Sequence, residues 1–182
     1  MLFDTHAHYD DDQFDGDRET LLASLPEQGV GLVVNPGCTV ASSRTAVELA
    51  RRFPHVYAAV GIHPENCGDF RPEDLDAIRA LAREDKVVAI GEIGLDYYWP
   101  ENPPRPLQQQ VLRSQLALAR ELSLPVIIHD RDAGGYRFAE PGVGPSYELP
   151  GLWFSADETY ALLTMHRLLS DLEPRLLAPH VA

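Results

Sequence analysis

The sequence predicts an α/β fold in which short buried strands alternate with helices, so that β/α units build a parallel sheet over residues 1 to about 133. Two observations carry this prediction. Short apolar runs recur with both faces apolar, as expected for strands of a parallel sheet that helices cover on each side. Between these runs lie longer stretches with apolar residues at helical spacing. Strand followed by helix, repeated along the chain, is typical of βαβ units.

Five strands are expected, taken in chain order. The first begins directly after Met1, at Leu2 to Thr5, and the fifth ends at His129. The apolar runs that predict the other buried segments are Leu32 to Val34, Val56 to Ile62, Val87 to Ile93 and Val126 to Ile128.

Helices are expected between these strands because apolar residues recur every three or four positions. The predicted buried faces are Ala46, Leu49, Ala50 and Phe53; then Leu75, Ile78, Leu81 and Ala82; then Val111, Leu112, Gln115, Leu118, Ala119 and Leu122. The positions of the prolines agree with the predicted helix boundaries. Pro72 sits at a helix start with Glu73 and Asp74 in the first turn, whereas Pro54 and Pro125 close helices before the next strand.

The pattern changes after Ala133. Glycine and proline are dense from 134 to 151, where no clear strand is visible. Ser155 and Glu158 then form a capping box before an apolar stripe, which predicts one more helix. We therefore divide the chain into a β/α portion, 1–133, that bears the candidate site, and a tail, 134–182, that is a loop plus an amphipathic helix and not an independent domain.

Composition limits the classes of function. The formal net charge is −13, so a broad phosphate-binding face is not expected, and a nucleic-acid substrate would need metal ions or a few placed arginines. The sequence shows neither a signal peptide nor an apolar stretch that could span a membrane, which predicts a cytoplasmic protein without membrane contact. Cys38 and Cys67 are expected to be small buried residues and not a disulfide.

Histidines and a glutamate fall at the predicted strand ends. His6 and His8 are two positions apart, and side chains alternate along a strand, so both should project to the same side and could share one metal ion. His63 and His129 end the third and fifth strands. Glu92 lies in a very apolar strand, where a carboxylate must be paired or bound to a cation. Each residue alone has a structural explanation, such as a salt bridge or a satisfied core histidine. Together they predict a metal site at the carboxyl edge of the parallel sheet.

Four segments resemble the signature motifs of the TatD family of metal-dependent deoxyribonucleases. They are Phe3 to His8, Val60 to Pro64, Gly91 to Tyr98 and Ile128 to Ala133, and the helix Gln108 to Leu122 is also similar to the family. The resemblance covers residues 1 to about 133. It implies a TIM-type β/α barrel whose site holds two divalent metal ions (Mg, Mn or Zn) and hydrolyses phosphodiester bonds of DNA, with single-stranded DNA as the expected substrate.

The resemblance also implies a role for each residue. His6 and His8 would hold one ion, His129 the other, and the catalytic Glu92 would bridge both. His63 and Arg131 would contact phosphate, and Asp96 would support the site or the substrate. Arg131 suits phosphate because its planar fork matches two oxygens.

This sequence departs from the family pattern in its second half. The family uses a further histidine and an aspartate there, and the segment Leu152 to Ala156 places Leu152 where that histidine is expected. A barrel of about five β/α units is therefore expected to be incomplete, from truncation or a change of reading frame near Ala133. Open barrel edges would favour self-association.

Two alternatives stay open at this point. One is an amidohydrolase-type metal hydrolase of the same architecture, which often bridges its metals with a carboxylated lysine; Lys86, however, lies at the start of its strand. The other is a catalytically inactive truncated remnant, which the missing second-half ligands favour.

Overall fold

The computed structural model describes residues 1–133, and the predicted tail 134–182 lies outside the described residues. Those residues form five parallel strands whose order in the sheet is their order along the chain. The strands are β1 (Leu2–Asp4), β2 (Val30–Pro36), β3 (Val56–Val60), β4 (Val87–Asp96) and β5 (Val126–Arg131). Sequential parallel strands joined by helices are the arrangement of a TIM-type β/α barrel, and the described residues form a portion of one.

Four helices connect the strands: α1 (Arg18–Ser24), α2 (Val40–Arg52), α3 (Pro72–Leu81) and α4 (Arg105–Leu122). Thr39 starts α2 with a capping box in which its hydroxyl accepts the Ser42 backbone N–H. Pro72 begins α3, as predicted. Helix α1 was not predicted, because it is short and buries only Leu22.

The core lies between the sheet and its helices. The predicted helix faces are buried there, with Ala46 at 0% exposure and Ile78 at 0%. The three central strands are equally covered, since Val33, Val56 and Ile90 are also fully buried, whereas Phe3 of β1 and Val126 of β5 are exposed. This packing holds the strands as one layer and brings their carboxyl ends to a common edge.

Several strand boundaries differ from the prediction, and three of them concern His63, Glu92 and His129. Strand β3 ends at Val60 and not at Ile62, so that His63 lies beyond it. Strand β4 continues to Asp96, which places Glu92 inside the strand, and β5 continues past His129 to Arg131. Strands β4 and β5 extend further than predicted because they pair with each other. Gly94 to Asp96 are registered against His129 to Arg131, so the ladder extends beyond the apolar runs that mark it in the sequence.

Glycines let β4 approach its neighbours closely. A Cβ at Gly94 would lie 1.9 Å from the carbonyl oxygen of His129, and one at Gly91 would lie 2.6 Å from Cβ of Ile127. Both distances are far below contact, so the spacing of β4 and β5 beside the site depends on the absence of side chains here.

Within residues 1–133 no helix is long and apolar enough to cross a membrane. The cytoplasmic location stays a prediction.

Candidate metal centre

Glu92 is the centre of the candidate site. It lies in β4 and is only 6% exposed, so its carboxylate is largely withdrawn from water. Its backbone N–H donates to the carbonyl of Gly37, which ties this point of β4 to the end of β2. Within residues 1–133 the ion-pair partners of Glu92 are all histidines, and an unpaired carboxylate at this depth would be costly.

One carboxylate oxygen faces His6 and His8, which we call the outer pair. Oε2 of Glu92 lies 3.1 Å from Nε2 of His6 and 3.5 Å from Nε2 of His8. The two Nε2 atoms are 3.1 Å apart. The prediction that these imidazoles lie together agrees with this geometry, but its reason was wrong. Strand β1 ends at Asp4, so the outer pair lies on a loop and does not alternate along a strand.

The other oxygen faces His63 and His129, which we call the inner pair. Oε1 of Glu92 lies 3.1 Å from Nδ1 of His129 and 3.9 Å from Nε2 of His63. His129 is part of β5, whereas His63 begins a single-turn 3₁₀ helix, Pro64–Asn66. The two rings meet edge to face with their centroids 4.3 Å apart.

Asp96 supports the inner pair from the end of β4. It is fully buried, and its Oδ2 lies 3.0 Å from Nε2 of His129. A carboxylate at this nitrogen favours the tautomer with hydrogen on Nε2. Nδ1 of His129 then faces the Glu92 carboxylate, and these two atoms need a metal ion or a proton between them.

The pKa values of Glu92, His8 and His63 are shifted in different directions. Burial raises the pKa of Glu92, but its hydrogen bond with His8 and the charges of the surrounding histidines outweigh burial and hold it at about 2. Contact with the Cys38 thiol and with Glu92 raises the pKa of His8 above its ordinary value, against an opposing effect of burial. Burial lowers the pKa of His63 to about 4, which keeps that ring neutral.

Two groups of these side chains could hold a metal ion. His6, His8 and Glu92 form one group, and His63, Glu92 and His129 form the other; within each group the ligand atoms lie within 4.8 Å of one another. Glu92 belongs to both. Imidazole nitrogen and carboxylate oxygen are the donors that Zn²⁺ and Mn²⁺ accept, so the residues present fit divalent ions.

Arg131, the predicted phosphate contact, is exposed at the end of β5. Its guanidinium carbon lies 4.2 Å from the ring centre of Tyr98 and 5.2 Å from that of Trp99. Its backbone carbonyl accepts the N–H of Tyr97, which fixes the strand end without using the guanidinium.

Two buried glutamines on α4 also position the site, and the sequence analysis missed their role. The side-chain amide of Gln115 bonds both the N–H and the C=O of Ile62, at 2.8 and 3.0 Å, directly before His63. The amide of Gln108 bonds both backbone groups of Asp96, each at 2.8 Å. The signal was available: Gln115 is a polar residue within the predicted apolar face of this helix.

The residues that surround the outer pair were also not predicted from the sequence. Cys38 was expected to be buried, but it is half-buried and acts on His8. Asp10 lies 3.9 Å from Nδ1 of His8 and accepts a hydrogen bond of 2.8 Å from the buried side chain of Asn35. The buried position of Cys67 is as predicted.

Lys86 does not take part in the site. Its ammonium donates to the carbonyls of Ala50, Phe53 and Pro54 at the end of α2, before β4 begins. Lys86 is the only lysine in the printed sequence, and amidohydrolase-type enzymes often bridge their metals with a carboxylated lysine. The position of Lys86 therefore gives that alternative no support.

Comparison with known proteins gives one family. A family model described as TatD related DNase matches residues 3–139. The metal-dependent hydrolase YabD of Bacillus subtilis (strain 168), which is called uncharacterized, is 44% identical over 133 residues, or 73% of this chain and 52% of its own. The 3'-5' ssDNA/RNA exonuclease TatD of Salmonella typhimurium is 37% identical over 72% of this chain and 50% of its own.

A solved structure agrees with the fold. The crystal structure of YjjV, a TatD homolog from Escherichia coli K12, superposes with a TM-score of 0.67 at 36% identity and covers 72% of this chain and 51% of that protein. The chain therefore spans about half the length of the relatives it matches.

Proposed function

Because the chain belongs to the family of TatD-related DNases, we propose that it is a divalent-metal-dependent hydrolase that cleaves phosphodiester bonds of single-stranded nucleic acid. One observation carries the proposal. The buried carboxylate of Glu92 presents one oxygen to each of two histidine pairs, which is the arrangement of a ligand that bridges two ions. The exonuclease relative from Salmonella typhimurium supports the choice of substrate.

Two ions would be held by four residues, namely Glu92 and three histidines that lie on either side of it. His6, His8 and Oε2 of Glu92 would hold one ion. The Nε2 atoms of the outer pair lie 3.1 Å apart, close enough for both to serve one ion. His129 and Oε1 of Glu92 would hold the second ion. The chemistry expected from such ions, when bound, is activation of water near neutral pH and neutralisation of charge on the phosphate.

Asp96 would act through His129 and not on the substrate directly. By accepting the Nε2 hydrogen, it fixes the ring orientation and leaves Nδ1 as the ligand atom. We therefore propose Asp96, which the sequence predicted to support the site or the substrate, as a positioning residue.

His63 would serve as a proton-bearing contact for substrate. Its Nδ1 accepts the N–H of Glu65 at 3.3 Å, and a neutral imidazole that accepts at one nitrogen carries hydrogen on the other. The Nε2–H then points toward the site, where it can donate to a phosphate oxygen. Although His63 is close enough to join the second metal group, this hydrogen-bond pattern favours the phosphate contact that the resemblance implied.

The test uses the full chain with end-labelled single-stranded DNA and RNA and Mg²⁺, Mn²⁺ or Zn²⁺. We expect cleavage that a chelator abolishes and that Glu92→Gln lowers on the order of a hundredfold or more. Glu48→Gln removes an exposed glutamate on α2 and should leave the rate unchanged. Metal binding is measured in parallel by calorimetry, with two ions expected for the wild type.

Each outcome has a clear meaning. Chelator-sensitive cleavage lost only in Glu92→Gln supports a two-metal nuclease built on these residues. A folded chain that binds two ions and cleaves neither DNA nor RNA would contradict the proposed activity and favour the inactive remnant.

A further inference from the structure

We propose that Tyr98, Trp99 and Arg131 form a stacking subsite for a nucleobase of the substrate strand, here called the aromatic platform. The inference rests on the proposed function, because it names how the same site would hold a single strand. Neither Tyr98 nor Trp99 was a predicted site residue.

The first observation is exposure. Tyr98 is 49% exposed and Trp99 is 41% exposed, although Arg131 lies against both rings. The rings are perpendicular, with centroids 4.6 Å apart, so they do not cover each other face to face. Large aromatic faces left in water cost free energy unless a ligand covers them.

The second observation is rigidity. The Tyr98 N–H donates to Oδ1 of Asp96 at 3.0 Å, and the side chain of Asn102 bonds the Asp96 carbonyl at 3.4 Å. Gln108 bonds that same carbonyl from α4. The backbone that leads into the platform is therefore held by hydrogen bonds although the rings are exposed, and a preorganised backbone loses little entropy when a ligand binds.

The third observation is position. Asp96 uses one carboxylate oxygen for the Tyr98 backbone and the other for His129. The platform thus begins two residues from a side chain that contacts the inner pair. A strand whose phosphate lay at Glu92 would carry its neighbouring bases past this edge of the sheet.

The chemistry of the platform favours a nucleobase. Bases stack on aromatic rings and on guanidinium planes whatever their sequence. Stacking needs no net positive charge, which matters in a chain whose formal net charge is −13. A cleft of about 260 Å³ adjoins Trp99 and is lined by polar groups that include Asn102 and Arg105. These groups could contact the edge of a stacked base.

The experiment compares base contact with phosphate contact. The probes are a short single strand of thymidine nucleotides with phosphorothioate linkages, which resist cleavage, and the same backbone without bases. Dissociation constants are measured in Mn²⁺ for the wild type, Trp99→Ala, Tyr98→Ala and Trp99→Phe. Leu116→Ala, which removes an exposed apolar side chain on α4, is the matched control.

We expect the wild type to bind the base-containing strand on the order of tenfold more tightly than the abasic strand. Trp99→Ala and Tyr98→Ala should reduce that preference, Trp99→Phe should keep most of it, and Leu116→Ala should not change it. Arg131→Lys, which retains the charge without the planar group, should also reduce the preference.

The platform and the nuclease activity can fail separately. If the wild type binds both strands equally, or if Trp99→Ala weakens both equally, the platform is overturned whatever the cleavage assay shows. If cleavage is absent but base-dependent binding is lost in Trp99→Ala, the platform stands and the proposed activity fails.

Discussion

The two sides of Glu92 offer similar ligand chemistry but are built differently. The outer pair lies on a loop, and the side chains of His6 and His8 are 38% and 36% exposed. In the inner pair, His129 lies within β5 and His63 lies just after β3, and their side chains are 22% and 8% exposed. One carboxylate joins them, so any difference between the two sides comes from their surroundings.

The supports differ in what they hold. On the inner side, Asp96 contacts the His129 ring itself, and α4 clamps the backbone beside His63 through Gln115. On the outer side Cys38 contacts His8, but the other supports hold the loop and not the rings. The N–H of Ala7 donates to the Val34 carbonyl, and Asp10 remains 3.9 Å from His8, too far for a hydrogen bond.

This difference shows how one ligand can serve two unequal ions. The ligands on the inner side are held in place before any ion binds. On the outer side His8 must first lose a proton, and the imidazole rings must become ordered. We therefore expect the inner ion to bind more tightly and the outer ion to exchange more readily. One measurement tests that ordering directly, and two test the structural differences on which it rests.

The largest effect is expected for Asp96→Asn. Loss of the carboxylate behind a metal-binding histidine typically lowers metal affinity about 10- to 100-fold, and here the loss should fall on the inner ion. Asp10→Asn is the matched change on the outer side and should lower affinity for its ion by much less. Calorimetric titration with Mn²⁺ resolves the two steps. Equal losses in the two variants would show that the sides are equivalent.

A smaller effect, on stability, is expected for Gln115→Leu. The substitution keeps the bulk but leaves the buried N–H and C=O of Ile62 without partners, which costs about 1–3 kcal/mol for an unsatisfied group. Urea unfolding of the metal-free chain measures the change. Gln110→Leu, at an exposed position of the same helix, should be near neutral. A neutral Gln115→Leu would mean that α4 does not brace the inner pair.

The smallest effect is expected in the pH dependence of the metal-free chain. Because burial lowers the pKa of His63 to about 4 from 6.5, the unfolded state binds more protons between those values, so stability should rise with pH there. His8 has the opposite shift. Its pKa is raised above 6.5 by Cys38 and Glu92, so its contribution is present below 6.5 and is lost as pH rises through the folded value.

Single substitutions separate the acid and alkaline limbs of the dependence of stability on pH. His63→Gln should flatten the acid limb, and His8→Gln should flatten the alkaline limb, in urea titrations at about pH 5, 6.5 and 9. Solvent screening keeps the alkaline limb shallow, since the His8 side chain is more than a third exposed. An alkaline limb that persists in His8→Gln would assign it to another group.

Much of the fold followed from sequence because apolar runs and helical spacing report burial directly. The order of five parallel strands and the meeting of His63, Glu92 and His129 at one edge are consequences of that pattern. The position of His6 and His8 was reached by an incorrect route, because three strand residues of β1 do not reveal where the chain leaves the sheet. Pairing, not local composition, sets such an end.

The sequence could not show which residues support the site from distant positions in the chain. Gln115 contacts Ile62, a residue 53 positions earlier, and Cys38 acts on His8 across the sheet edge. No spacing rule links such residues. The exposed faces of Tyr98 and Trp99 are also invisible in sequence, where aromatic residues after a strand are more often core.

Gly91 and Gly94 set the mutational tolerance of the site. Since even a methyl group at Gly94 would overlap the His129 carbonyl, alanine there must push β5 away and carry His129 with it. A survey of random substitutions along β4 should therefore find some of its strictest positions at residues that contribute no atom to the chemistry. Gly91 and Gly94, which have no side chains, would therefore restrict sequence variation in β4 as strongly as Glu92 does.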